Sequence, residues 1–295
     1  MNDVNTGEAQ VDRQNVGNHD RPCPMCARES LDVRSVKVIE RENQVFNIVR
    51  CAGCGFVFVR NPRASTVSEE EATAQEVAIL DPMRRHYQTK NLLDWYFQSE
   101  KSASTRVVEV GAGTGPLPRT LRDDPGKKYS YLGFEPSEGR AEACRQQGIN
   151  VVNDFFSSDT LEYAADAIII DNVLEHVADP RSVLKQASNA LRSKGLLVVI
   201  VPNFRDVRRF VPSWRKRHHW QPRCHINYFT SEDLSHLFNE FGFSFHHFGF
   251  GTLDFPKDLV YLPKIILDKL FVPIAGLYCY GIKQKVHRKL EQPGE

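Results

Sequence analysis

Five apolar runs recur along the middle of the chain: RVVEVG (106–111), YSYLGFEP (129–136), INVVND (149–154), ADAIIIDN (165–172) and GLLVVIVPN (195–203). They are continuous rather than alternating, so each predicts a strand buried on both faces. Between them the spacing predicts helices near 115–123, 137–147 and 180–192. Asp179 before Pro180 supplies an N-cap and a first-turn proline to the last of these. Strands separated by helices predict an α/β fold, a doubly wound, mostly parallel Rossmann-like sheet covered on both faces.

On either side the pattern changes. Residues 87–100 (YQTKNLLDWYFQSE) space Leu92, Leu93, Tyr96 and Phe97 along one helical face, and a further helix is predicted near 231–241. FSFHHFGFG (243–251) is strand-like, and the apolar tail 259–283 is expected to pack as helices broken by Pro263 and Pro273. Residues 23–62 are rich in Val and Ile with short alternation, as in a small β-rich module. The predicted organisation is a disordered leader (1–20), a β-rich module (21–62), a linker running into a helix (63–84), the α/β domain (85–250) and a helical extension (251–295).

Composition sets bounds on this picture. Of 295 residues, 41% are apolar, enough for a full core, and the net charge is +1. No whole-molecule field therefore draws the chain to nucleic acid or an anionic membrane, and any such partner must come from a local patch. The first 22 residues lack the apolar core of an export signal, and no run of about 18 uncharged apolar residues occurs. A cytoplasmic location is expected, without a spanning helix.

Four of the seven cysteines form two pairs, Cys23-x-x-Cys26 and Cys51-x-x-Cys54. In a reducing compartment two such knuckles predict tetrahedral thiolate ligation of structural zinc, with the stretch between them forming the hairpin of a zinc ribbon. Four thiolates leave no open position, so no catalytic role is expected there.

The most specific chemistry lies in VVEVGAGTGPL (107–117). Gly111, Gly113 and Gly115 allow a tight strand-to-helix turn and close approach of a ligand. A dinucleotide loop would carry its third glycine where Pro116 stands. Glu109, two residues before the first glycine, would repel a pyrophosphate and suits a ligand with a positively charged amino group. Glu135 ends the next strand, where an acid accepts hydrogen bonds from a ribose diol. Asp154 ends the third strand, placed for an adenine amino group. The fourth strand runs into IIIDNVLEHVADP. No cluster of oxygen ligands is evident, so cofactor binding is expected to need no added magnesium.

This series resembles the class I S-adenosylmethionine-dependent methyltransferases, in their small-molecule branch, over about residues 85–250. The resemblance implies that Glu109, Gly111, Ala112, Gly113 and Gly115 hold the methionine end of S-adenosylmethionine. Glu135 would take the ribose, Asp154 the adenine, and the turn Asp171–Asn172–Val173 would line the pocket. A zinc ribbon ahead of such a domain resembles sugar C-methyltransferases and related natural-product or glycan enzymes. Those carry a longer C-terminal domain than this chain, so O-methylation is preferred to C-methylation.

The acceptor side is less specific. A hydroxyl nucleophile would use a general base, and His176, after the fourth strand, and His225, in CHINYFT, are the candidates. The basic-aromatic block 205–223 includes Arg205, Arg208 and Arg209 directly after the fifth strand. It fits either a solvated face or recognition of a phosphate-bearing small molecule such as a nucleotide sugar or lipid-linked phosphate. The leading reading is a small-molecule methyltransferase. The alternative is an RNA-directed or non-catalytic binding protein that keeps the nucleoside pocket, which the neutral net charge disfavours. Nucleic acid is therefore not the expected partner, and weak contact of the tail with a membrane surface is an outside reading.

Overall fold

The computed structural model describes residues 21–28, 33–41, 44–62, 82–99, 104–122, 129–215, 219–248 and 276–284. The expected leader (1–20), most of the linker and residues 249–275 of the tail lie outside them.

The five apolar runs form β4 (Thr105–Val110), β5 (Tyr129–Phe134), β6 (Val151–Val152), β7 (Ala165–Asp171) and β8 (Leu191–Pro202). They pair in parallel in the order β6-β5-β4-β7-β8. Every residue of β7 is buried, which is why Ala167–Ile170, between Asp166 and Asp171, are continuously apolar. The connecting helices are α1 (Pro82–Tyr96), α2 (Pro116–Arg122), α3 (Glu138–Gln146) and α4 (Pro180–Ala190), followed by α5 (Ser231–Glu240). Asp179 caps α4 as expected, its carboxylate accepting from Ser182 N at 3.0 Å, and Thr230 and Asp233 form a reciprocal capping box on α5. Helix α1 packs on α2 and seals one face with Leu92, Leu93 and Phe97 against Val107, Ile169 and Val198.

Two expectations require correction. Within the region expected to be helical, Gly276–Ile282 form β11, antiparallel to β8 from Gly276↔Pro202 to Ile282↔Leu196. Its alternating side chains pack both faces of the sheet, Cys279 and Leu277 on one side and Tyr278 and Tyr280 on the other. Of the strand-like 243–251, the described residues 243–248 contain one regular strand, β10 (His246–His247), and it closes the seven-stranded sheet beyond β11.

The N-terminal module forms a second sheet, β1 (Val33–Arg41), β2 (Gln44–Cys51) and β3 (Val57–Val59), all antiparallel. This sheet does not end with the module. Its fourth strand is β9 (Asn227–Tyr228), supplied by the catalytic domain through Val57↔Tyr228 and Phe58↔Asn227. Arg21 fastens the same seam, donating to Ile226 O at 2.6 Å and Asn227 Oδ1 at 2.8 Å. Phe56 and Phe58 enter the main core beside Phe229.

Candidate active site

The glycine loop leaves β4 at the carboxyl edge of the sheet, where open α/β folds place their ligands. Gly111, Gly113 and Gly115 all have left-handed backbone, with φ of +75°, +56° and +80°. Two of the three also lack room for a side chain. A Cβ on Gly111 would stand 2.6 Å from Val173 Cγ2, and one on Gly115 would stand 2.4 Å from Ile149 Cδ1. The turn is pinned by Gly111 N and Ala112 N, both donating to Phe134 O, so the loop is tied to the end of β5. Glu135, one residue beyond, is held by Gly113 N at 2.8 Å and Ser137 N at 3.0 Å, which aims its carboxylate across the loop.

Glu109 is 2% exposed and accepts a hydrogen bond from the Tyr131 hydroxyl. Burial pushes its carboxyl up to about 8, against the lowering effect of that bond. Asp171 and Glu135 add like charge and Arg85 opposite charge nearby. This cluster of carboxyl groups behind the glycine loop suits a cationic ligand, which would favour their ionised forms. Asp154 is exposed on the loop after β6, its Oδ1 taking up Phe155 N. The adjacent Asn153 donates to Glu135 O at 2.9 Å and keeps that loop near Glu135.

The structure also supplies residues that sequence reasoning missed. Arg85 and His86 of α1 reach the end of β7, where Arg85 Nε lies 2.6 Å from Asp171 Oδ2 and His86 Nδ1 lies 3.8 Å from it. Burial beside Arg85 holds His86 neutral, near 3. Helix α1 thus closes over the end of β7 beside the glycine loop; its signal was hidden because Arg84-Arg85-His86 reads as a solvated charge run. Asn172 follows in a left-handed conformation (φ +52°), bonded through its backbone N to Ile200 O.

The next turn carries Glu175 and His176. Glu175 O accepts from Ile226 N and Asn227 N, and Asn227 Nδ2 donates to Leu174 O and Val177 O, each at 2.8 Å. These bonds lock the CHINYF segment onto the turn after β7. As a result His176 and His225, 49 positions apart, meet with ring centroids 5.0 Å apart. Desolvation by burial takes His225 down to about 3, so its imidazole is neutral. Glu175 is pushed up to about 8 by burial.

His225 also lines a cleft of about 360 Å³ with Asn172, Asn203, Phe204, Arg208 and Tyr278 among its walls. The cleft opens over the ends of β7 and β8 and abuts the cofactor pocket at Arg85 and Asn172. Phe204, His219 and Tyr228 give it an aromatic wall, with Phe204 stacked on His219 at 5.2 Å. The basic block behaves differently from three free arginines. Arg205 pairs with Glu232, Arg208 is chelated by the buried Asp206 at 2.7–3.1 Å, and Arg209 lies over Phe210 and donates to Phe204 O. Only Arg208 of the three lines the cleft, and it enters as half of an ion pair. Residues 216–218 of the block fall outside the described residues.

In the N-terminal module the two cysteine knuckles have the same turn. Cys23 N and Cys51 N donate to the carbonyls of Arg28 and Phe56, while Ala27 N and Gly55 N return to the carbonyls of Cys23 and Cys51. Ala27 and Gly55 are both left-handed, at +54° and +81°. The four Sγ atoms lie within 4.8 Å of one another, with Cys23–Cys54 at 3.5 Å and Cys26–Cys51 at 3.6 Å. A tetrahedron of sulfurs around zinc has edges of about 3.8 Å, so the set fits that ion.

The fold and the acid–glycine turn together are those of an α/β protein that takes a ligand at the carboxyl edge of its sheet. Comparison gives the family. Residues 57–247 match a methyltransferase domain model, and the chain belongs to that family. It is an S-adenosylmethionine-dependent methyltransferase. No curated protein matches the sequence significantly. Among solved structures, the chain is similar to the plantazolicin methyltransferase BpumL in complex with SAH, at 13% identity and TM-score 0.53, covering 74% of this chain and 91% of that one. It is similar to the plantazolicin methyltransferase BamL at 15% identity and TM-score 0.54, covering 74% and 92%. The methyltransferase solved with the Haloferax volcanii Trm112 activator matches at 15% identity and TM-score 0.51, covering 77% and 100%. Among the described residues no helix is long and apolar enough to cross a membrane.

Proposed function

We propose that the chain transfers the methyl group of S-adenosylmethionine to a hydroxyl of a small acceptor, a sugar, nucleotide sugar, glycan or natural-product intermediate. The observation that carries this reading is the cleft contiguous with the cofactor pocket, walled by aromatic side chains and floored by Asn203, Asn227 and the Asp206–Arg208 pair. Aromatic faces with fixed amide, carboxylate and guanidinium groups suit a polar ring bearing several hydroxyls. The SAH-bound plantazolicin enzymes support a small-molecule or peptide natural-product acceptor as a class. In this reading Glu109, Gly111, Ala112, Gly113 and Gly115 take the methionine end, Glu135 the ribose, Asp154 the adenine edge, and Asn172 the sulfonium side. Displacement at the methyl carbon gains mainly from alignment and exclusion of water. The acceptor proton leaves at the His176–His225 corner.

The four cysteines hold one structural zinc in the same reading. Because Arg205 and Arg208 already have carboxylate partners, an acceptor's phosphate would meet one ion pair rather than an arginine cluster. The test measures SAH formed from S-adenosylmethionine across a panel of glycosides, nucleotide sugars and hydroxylated heterocycles. Tyr278→Ala is expected to raise acceptor KM while leaving cofactor Kd unchanged. Glu135→Ala is expected to weaken cofactor binding tenfold or more. Co-purified RNA, or no turnover on any hydroxylated acceptor, would favour a binding role.

A further inference from the structure

We propose that Glu175, His176 and His225 form a binding site for one divalent transition-metal cation at the edge of the acceptor cleft. The ligand atoms of the three side chains all lie within 4.8 Å of one another. His176 Nε2 stands 3.7 Å from Glu175 Oε1, against about 3.3 Å for two ligands on one zinc-sized ion, so a small inward shift closes the set.

Three further features point to an ion rather than to a packed cluster. The Glu175 side chain is 2% exposed, yet among the described residues neither carboxylate oxygen has a hydrogen-bond partner. A buried carboxylate without partners is costly, and a bound cation removes that cost. His176 is oriented as metal-bound histidines are, with Nδ1–H donating to Cys224 O at 2.8 Å, which leaves the lone pair on Nε2 toward Glu175. His225 is held by the backbone rather than by a side-chain partner, since His225 N donates to Gln221 O and the next residue is clamped to Glu175 O. Two imidazoles and one carboxylate select zinc, iron(II), nickel or manganese over magnesium, which prefers oxygen alone.

Three protein ligands leave a coordination position open, and His225 lies on the cleft wall. The catalytic consequence rests on the reading of the cleft as the acceptor site. An acceptor hydroxyl taking that position loses its proton to water more easily. Its oxygen then forms the new carbon–oxygen bond as the methyl–sulfur bond breaks, releasing SAH.

The experiment loads the full-length protein with cobalt(II), then measures metal per chain and the absorption spectrum. Wild type is expected to hold two ions per chain, one giving intense thiolate-to-cobalt charge transfer from the cysteine site and one giving weaker ligand-field bands. Glu175→Gln and, independently, His225→Ala should each hold one ion and keep the charge-transfer band. Wild type binding a single ion, or either folded variant retaining two, would overturn the proposal. The assay needs no acceptor, so its failure is distinct from failure of the methyl-transfer reading. A chain that binds two ions but turns over no hydroxylated acceptor would keep this site and lose that reading.

Discussion

Glu109 shows how a single side chain couples burial to ligand charge. Its carboxyl is raised to about 8 because β4 delivers it into the interior, where the Tyr131 hydroxyl is its one hydrogen-bond donor among the described contacts. In the ligand-free protein at neutral pH it is therefore mainly protonated. A cationic ammonium nearby favours the ionised form, so binding must release a proton in this range. Cofactor affinity should rise as pH increases from 6.5 towards 8.5 and level off above. Calorimetry in buffers of different ionisation heat should show proton release near pH 7 that vanishes near pH 9; a flat profile would remove Glu109 from the cofactor's charge. The stability sign is the opposite. A raised carboxyl contributes fully below the ordinary carboxylate value of about 4.3 and loses that contribution as pH rises through 8. At this scale the sequence was legible where chemistry sits next to a motif, as with Glu109, Gly111 and Glu135. It was silent on Arg85 and Glu175, whose roles exist only because α1 and the CHINYF segment are folded against the end of β7.

At the scale of elements, the parallel strands were legible because burial on both faces makes their sequences continuously apolar. β11 was not, since GLYCYGI lies in an apolar tail with Pro273 just before it, and a short apolar run does not distinguish strand from helix. What makes it a strand is the open edge of β8, which pairs with it along seven positions. The glycine turn makes a sharper demand. Gly115 combines a φ of +80° with a Cβ position 2.4 Å from Ile149 Cδ1 and 3.3 Å from Cys144 Sγ. Gly115→Val should cost roughly 2–4 kcal/mol, from left-handed strain and overpacking together. Urea unfolding would measure this, and a loss under about 0.5 kcal/mol would mean that the loop re-forms without the turn. Asn227→Leu attacks a different junction. It removes two donors to Leu174 O and Val177 O and the acceptor of Arg21, at a site 2% exposed. The expected cost is about 2–4 kcal/mol from carbonyls left buried without partners, with His176 and His225 moving apart.

Over the whole molecule, the N-terminal module and the catalytic domain share one sheet, and this decides what a metal held by the four cysteines would do. The sequence singled out the cysteine pairs and the glycine loop but treated the ribbon as a separate unit, because two residues of β9 carry no strand signal of their own. In the fold, the cysteine knuckles shape β2 and β3, β3 pairs with β9, and β9 carries Tyr228 into the cleft two residues after Ile226 is clamped to Glu175. The cofactor loop is reached by a different route, through β4 and β5, with no ribbon strand between. Metal ligation and folding of such small modules are coupled, so losing one thiolate should loosen the ribbon and, through β3, the cleft wall. Cys51→Ser is therefore expected to abolish one cysteine-bound ion, raise acceptor KM about tenfold, equivalent to about 1.4 kcal/mol, and leave cofactor Kd within twofold. Mutating the cysteine rather than adding a chelator leaves an ion at Glu175 in place, so the effect reports on the ribbon alone. Hydrogen exchange should show lost protection in β1, β2, β3 and β9 but not in β4 or β7. Unchanged acceptor kinetics with a melted ribbon would mean that β9 holds its place without β3. Loss of cofactor binding together with acceptor binding would instead mean that the two domains fold as one cooperative unit.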